Sequence, residues 1–397
     1  MKMKLNVRIL LFKMILLTTI TFSHSCRKSA ETSRLIEIDP RTYLINNFQL
    51  SDIADNVGYI CLSNDVLVSI IKDLKVINHD IFVQVDDTLL IKYDLYGENP
   101  QIIGRYGRGP GEYQYITSFA VDHKTGTIYI VEPIDRIKLY SNSGTFIGNL
   151  ELKESTGLRI NDIEYFNSHL FLAQYNRVRK AEFNWVIADT IGNIITYKKN
   201  NIPPFESGQG RWGGIFKFEN RISHWDGWSD TIYTVYPDLS YTPSGYFVPG
   251  EHRHYDGIST SPQQIIEALS KICNTLKILE TADFIIYNFF YLGKNGISFI
   301  SKTDQSVLSS FNEPSRQGIE NDLDNGPGFT PLYYFQKEDE EYLIGWVDAY
   351  RLKAHVESQD FQNSTPKYPE KKKELEELAA GLDENDNPVL MLVKLKE

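Results

Sequence analysis

The chain of 397 residues has only three cysteines, and the first of them, Cys26, lies in its N-terminal segment. Cys61 and Cys273 alone remain for the folded part, so a disulfide framework is excluded and stability must come from a packed core. Both are expected to be buried free thiols, Cys61 in the strand-like GYICLS and Cys273 in a helical setting. Basic charge is also short. Lys and Arg number 41 against 52 Asp and Glu, a net charge of −11, which excludes the basic stripe of a nucleic-acid binder. Beyond Ile9 to Phe22 no long apolar run occurs, and that one is too short for a comfortable membrane span. Linear catalytic signatures are missing as well. There is no Gly-x-Ser-x-Gly elbow and no His-Glu-x-x-His helix. The glycine-rich GRYGRGPGEY, Gly104 to Tyr113, lacks the Gly-Lys-Ser/Thr ending of a phosphate loop.

What is present is aromatic and repetitive. The 24 Tyr and 21 Phe suit the pleated, half-buried surfaces of strands, so an all-β fold is expected. IFVQVDDTLLIKYDLYG, Ile81 to Gly97, is echoed in register by IYIVEPIDRIKLYSNSG, Ile128 to Gly144: a β run, a polar break, a second β run and a turn. Such a unit cannot bury both faces alone, so a tandem series predicts a closed β-propeller with its ligand site in the central channel or on the loops. Second-strand starts fall near Ile81, Ile128, Leu170, Ile222, Ile297 and Tyr342, spaced by 47, 42, 52, 75 and 45 positions. Four of the five spacings match known blade repeats, which predicts six blades.

The long interval holds SPQQIIEALSKICNTLK, whose apolar residues recur at helical steps, so a helix is expected near 261–277. A second is expected over 369–380, between Pro369 and Gly381. The final strand, in NPVLMLVKLK, has no partner downstream. It is expected to join the blade begun by YLIGWVDAY, with the N-terminal segment near Leu35 to Leu62 helping to close the ring.

At the N-terminus, Lys2, Lys4, Arg8 and Lys13 flank the apolar stretch as in an export signal over 1–25. Cys26 follows where bacterial lipoproteins carry their lipidated cysteine, although Ser23 replaces the usual Leu and a soluble cleavage site also fits. A polar tether is expected over 26–42, leading into a strand at Leu35, and a single propeller domain over 43–397. No acidic cluster follows Cys26, so the periplasmic side of the envelope is favoured over the cell surface.

IGRYGRGPGEYQYI with the β-phrase after it, and IENDLDNGPGF, VDAYRLKAHV and ENDNPVLMLVKLK near the end, resemble the six-bladed, NHL-like propeller lipoproteins of Gram-negative anaerobes. The resemblance spans nearly the whole chain. It implies an envelope-anchored propeller and carries no catalytic residues with it.

GRGPGEY is read as a connector between blades, with echoes at Gly208 to Gly214 and Asn325 to Phe329. Arg105, Arg108, Gly109, Pro110, Gly111 and Glu112 are its expected structural residues, the charged ones bonding neighbouring loops. Trp212, His224, Trp225, Asp226 and Trp228 form a tryptophan-rich segment that could stack on a planar ligand, against the competing expectation of plain core packing. His252, His254 and Asp256 in EHRHYD have no further ligand at recognisable spacing and are read as loop. Asp322 and Asp324 in NDLDNG lack an EF-hand's closing Glu and are read as a turn. The expected function is binding or scaffolding of a protein, peptide or glycan by a monomer, without cofactor or metal. The alternative is a lactonase- or lyase-type enzyme with a metal at the channel mouth, drawn from Asp122, His224, Asp226 and Asp348.

Overall fold

A computed structural model describes residues 35–396, apart from 45, 47, 134–135, 154–157, 176–180, 204–212, 254–270 and 313–316. Residues 36–397 form one compact unit. Its strands make six sheets, each running from the ring's centre to its rim through four antiparallel strands. Their innermost strands are, in blade order, Ile71–Ile77, Ser118–Val121, Asp162–Phe166, Gly213–Phe218, Asn274–Glu280 and Tyr333–Lys337. The expected six-bladed propeller is the observed fold.

The middle strands of each blade lie between two other blades, so both of their faces are buried. This is why Asp80–Val85, Ile128–Glu132 and Phe284–Tyr291 are nearly continuous apolar runs. The period of two decides which neighbour each side chain meets. In blade one, Ile81, Val83 and Val85 pack with Ile344 and Leu390 of blade six. Phe82 turns the other way, to Phe119 and Ile130 of blade two. Four further clusters fill the remaining interfaces in the same manner.

The repeated phrase ends at a glycine for a physical reason. Gly97, Gly144 and Gly192 all have positive φ, of 79°, 76° and 91°. In each case an added Cβ would lie within 2.5 Å of a carbonyl oxygen of the preceding blade's rim, on Cys61, Ile102 and Glu151 respectively. Each glycine's own carbonyl then accepts a backbone N–H two residues further along that rim, from Ser63, Gly104 and Lys153 at 2.8–3.1 Å. Only glycine allows this close approach, so the turn acts as a recurrent staple between blades.

Ring closure follows the expected scheme. Blade six combines Tyr333–Lys337, Glu340–Val347 and Val389–Leu395 with Ala54–Cys61 from the N-terminal side, in the register Tyr59↔Met391 and Trp346↔Leu390. A second N-terminal contribution was not foreseen. Ile36–Ile38 pairs in parallel with the rim strand Tyr241–Phe247 of blade four, making that sheet five-stranded. This is the strand expected from Leu35.

Two expectations need correction. Ile297 lies in the third strand of blade five, Lys294–Ser301, and the second strand is Phe284–Tyr291; both runs are equally apolar, so composition alone does not tell them apart. The helix expected near 261–277 lies mostly outside the described residues. Its last four positions, from Asn274 to Lys277, open the innermost strand of blade five. The helix over Pro369–Gly381 is present, but two short helices precede it, Ala349–Glu357 and Gln359–Asn363. Together they form a cap inserted after the second strand of blade six, packed around Leu352, Phe361 and Leu375. Among the described residues no helix is long and apolar enough to cross a membrane.

Candidate functional site: the central channel and the connector face

The meander makes the two ends of the ring different. Chain joining the first strand of a blade to its second falls at one end, at 78–79, 122–127, 167–168, 219–220, 281–283 and 338–339. The described chain joining successive blades falls at the other, at 62–70, 103–117, 151–153, 158–161, 200–203, 248–253, 271–273, 312 and 317–332. The helical cap belongs to this second, connector face. Cross-bonds tie each end together. At the turn face, Asn78 Nδ2 donates to His123 O (2.9 Å) and Lys124 Nζ to Ser168 Oγ (3.2 Å). At the connector face, Asn387 Nδ2 of the cap donates to Ser63 O and Val66 O, both at 2.8 Å, and Ser69 Oγ donates to Asp86 Oδ2.

The connector 103–117 is closed on itself. Gly107 N donates to Tyr113 O (2.8 Å), and Gly109 N donates to Glu112 Oε2 (2.7 Å) across a tight turn at Pro110. Gly111, at φ 77°, lies against the Phe146 ring, and its carbonyl accepts from Tyr140 Oη (3.0 Å) of blade two. Gly109 and Glu112 thus bond within the connector, and Gly111 carries its contact to blade two. Arg105 and Arg108 depart from expectation: their side chains are exposed and bond no neighbouring loop, because the glycine turns and the Glu112 carboxylate already hold the connector. This fold also leaves Tyr106 and Tyr115 standing out, 59% and 51% exposed, with rings edge to face at 6.5 Å.

The central channel is a cavity of about 350 Å³ walled by all six innermost strands. On two of these strands charges sit at alternate positions, which is how a strand aims side chains at one face: Asp73 and Lys75, and Asp162 and Glu164; Lys217, Lys277 and Glu280 come from two others. Lys75 Nζ is saturated by Glu164 Oε2 (2.8 Å), Phe119 O (2.7 Å) and Ile163 O (3.3 Å). Burial disfavours its charge, but Glu164, then Asp73 and Asp162, outweigh burial and hold its pKa above the ordinary range. Burial also works against the Glu164 carboxylate, yet Lys75 and Lys217 keep its pKa below the usual value. Burial wins at Asp162, whose pKa is raised despite Lys75 and the hydroxyl of Ser118, which donates to Oδ1 at 2.5 Å. Glu280 is held by Arg221 (2.7 Å) and Lys302 (3.1 Å), whereas two channel lysines are paired more loosely: Lys277 reaches Asp73 Oδ1 at 3.7 Å and Lys217 reaches Glu164 Oε1 at 3.9 Å.

None of these channel charges was singled out from sequence. The available signal was charge at i and i+2 within the strand before each repeated phrase. Polar residues in a strand ordinarily mark its solvent face, and only ring closure turns that face into a channel.

The tryptophan-rich segment is corrected. Arg221–Asp226 is the second strand of blade four, and its residues are covered on both sides. Trp225 packs with Phe247 and Tyr287 toward blade five. His224 points toward blade three, its ring 5.5 Å from Trp185 and 5.6 Å from Tyr175, with Nε2 3.2 Å from Gln174 O. Burial lowers its pKa to about 4. Asp226 is fully buried and accepts from Trp228 N at 2.8 Å, capping the following turn. Core packing explains all three, and Trp212 lies outside the described residues.

The four candidate metal ligands do not converge. Asp122 caps a turn at the turn face, accepting from Thr125 Oγ1 (2.7 Å) and Lys124 N (2.9 Å). Asp226 ends one second strand and Asp348 follows another, both at the opposite, connector face, and Asp348 stands at the N-terminus of Ala349–Glu357. Among the described residues no three His, Cys, Asp or Glu side chains are grouped to hold a metal ion. His252 is buried, whereas His254 and Asp256 lie outside the described residues, as does Cys26. NDLDNG is the expected turn. Asp324 Oδ1 accepts from Gly326 N (2.8 Å) and Asn321 Nδ2 (2.6 Å), and Oδ2 accepts from Tyr59 Oη (2.8 Å). The connector reading of NGPGF also holds, since it lies in 312–332; its counterpart at Gly208 to Gly214 is described only from Gly213, where the innermost strand of blade four begins. Cys61 and Cys273 are free thiols, Cys273 buried and Cys61 half-buried.

Six four- or five-stranded meanders around a charged channel define a six-bladed β-propeller. The chain belongs to a family described as a domain of unknown function, DUF4934, which it matches over residues 35–394. No curated protein matches it. Among solved structures it is similar to a putative exported protein from Bacteroides fragilis NCTC 9343, at 19% identity and a TM-score of 0.66, covering 92% of this chain and 100% of that one. It is also similar to virginiamycin B lyase from Staphylococcus aureus, at 12% identity and a TM-score of 0.41, covering 72% and 81% of the two chains.

Proposed function

We propose that the protein is an exported, lipid-anchored propeller of the cell envelope, of the NHL-like lipoprotein kind, that recognises a protein, peptide or glycan through its connector face. The observation that carries this reading is the asymmetry of the ring. Tight turns finish one end, whereas the inter-blade connectors and the helical cap all gather at the other, where a rigid scaffold presents adaptable loops. Tyr106 and Tyr115 supply exposed aromatic faces on a connector pinned by its own hydrogen bonds. Such residues suit an interface anchor, because they bury large area with little ordering cost. Export and anchoring rest on the basic and apolar N-terminal segment and on Cys26, which would hold the monomeric ring at the periplasmic side of a Gram-negative envelope. A metal-dependent lactonase or lyase has weaker support, since Asp122 and the pair Asp226 and Asp348 belong to opposite faces.

The test compares the faces. Full-length protein should bind envelope peptides or glycans displayed on an array, and the double substitution Tyr106→Ala, Tyr115→Ala should weaken the strongest signal by about tenfold or more. Lys124→Ala at the turn face should leave it unchanged. Equal loss from both variants, or from neither, would remove the connector face as the binding surface. Cys26→Ser should release the protein from membranes into the soluble fraction.

A further inference from the structure

The channel contains charges that the proposed connector-face recognition does not use. They fall into two kinds. Lys75 and Glu164 are locked together, and the three acceptors around Lys75 Nζ saturate it. The Asp73 and Lys277 pair is different: it joins blade one to blade five, past blade six, with Nζ and Oδ1 at 3.7 Å, beyond hydrogen-bonding distance. Their side chains are 27% and 37% exposed, and both line the cavity. Lys217, on the neighbouring innermost strand of blade four, donates to Tyr165 O at 3.2 Å and is 41% exposed.

From this arrangement we infer that the channel binds a compact zwitterion carrying an ammonium and a carboxylate, of the free amino acid or dipeptide class. The ligand's ammonium meets Asp73, and its carboxylate meets Lys277 with Lys217 as the second cation. A half-exposed pair contributes little on its own, so exchanging it for a ligand's two charges loses little. The charge-assisted hydrogen bonds formed in return lie in a narrow, partly desolvated cavity, where they are stronger. A cavity of about 350 Å³ is at the small end of ligand sites and excludes longer oligomers. Tyr333, Phe335, Ile215 and Leu279 give the wall an apolar side for a small side chain. Asn78, His123 and Glu219 border the cavity at the turn face, and Asp73, Lys277 and Lys217 belong to innermost strands rather than connectors, so the inference does not rest on connector-face recognition.

Titration calorimetry of the full-length protein with each of the twenty free amino acids, and with their N-acetyl and amide derivatives, tests this. At least one free amino acid should bind with 1:1 stoichiometry and a Kd below about 1 mM. Blocking either terminus, or substituting Asp73→Asn or Lys277→Gln, should weaken it by about tenfold or more, whereas Lys277→Arg should retain it. The inference is overturned if no free amino acid binds, if blocked derivatives bind equally well, or if correctly folded Asp73→Asn and Lys277→Gln proteins bind as the parent does. Should one of those two fail to fold, Lys217→Gln takes its place, with the same weakening expected and unchanged binding counting against the inference.

Discussion

Single residues carry two kinds of strain in this ring, conformational and electrostatic. Gly97 and Gly144 combine positive φ with a carbonyl where a Cβ would stand, so Gly97→Ala and Gly144→Ala should each destabilise by about 1–3 kcal/mol in chemical denaturation. Gly148 has open space and an ordinary φ, and Gly148→Ala is the control expected to change little. His224 is neutral and buried, with its pKa depressed to about 4 against an ordinary 6.5. A depressed folded pKa means that its contribution is complete above pH 6.5 and is lost as pH falls toward 4, a change on the order of 3 kcal/mol. His224→Gln should flatten that limb of the stability profile. Equal acid sensitivity in the variant would show that other groups dominate it.

Elements decide closure and explain what the sequence makes legible. The last strand, Val389–Leu395, lies between Glu340–Val347 and Ala54–Cys61, so it joins the C-terminal half of blade six to its N-terminal rim. Ending the chain at residue 388 should therefore abolish cooperative unfolding, measured by circular dichroism on heating. A milder break is Tyr59→Phe. It removes the hydroxyl that Asp324 accepts from and should cost about 1–3 kcal/mol, because a buried carboxylate loses a donor. Blade count and closure were readable because period-two apolar runs and glycine turns are local signals. Blade five is harder: FIIYNFFY and ISFIS are both apolar, so the pattern alone does not separate the second strand from the third at Ile297. The short helix Ala349–Glu357 went unseen because it buries only Ala349, Leu352 and Val356. Trp225 misled for the opposite reason, since tryptophan beside His and Asp suits a binding loop as well as a strand packed on both faces.

At the scale of the whole molecule, the ring turns local alternation into something no segment contains. Asp73, Lys75, Asp162, Glu164, Lys217 and Lys277 come from four strands that are far apart in the chain, yet they share one cavity because the innermost strands face one axis. The same geometry gathers the described parts of the inter-blade connectors at one end. Function is therefore assigned to ends of the ring rather than to motifs. The most direct test is site-specific photo-crosslinking in the producing cell, with the photoreactive residue at Tyr106 on the connector face or at Asn167 on the turn face. Discrete adducts from Tyr106 and none from Asn167 are predicted. Adducts from Asn167 alone, or equal yields from both positions, would contradict recognition through the connector face.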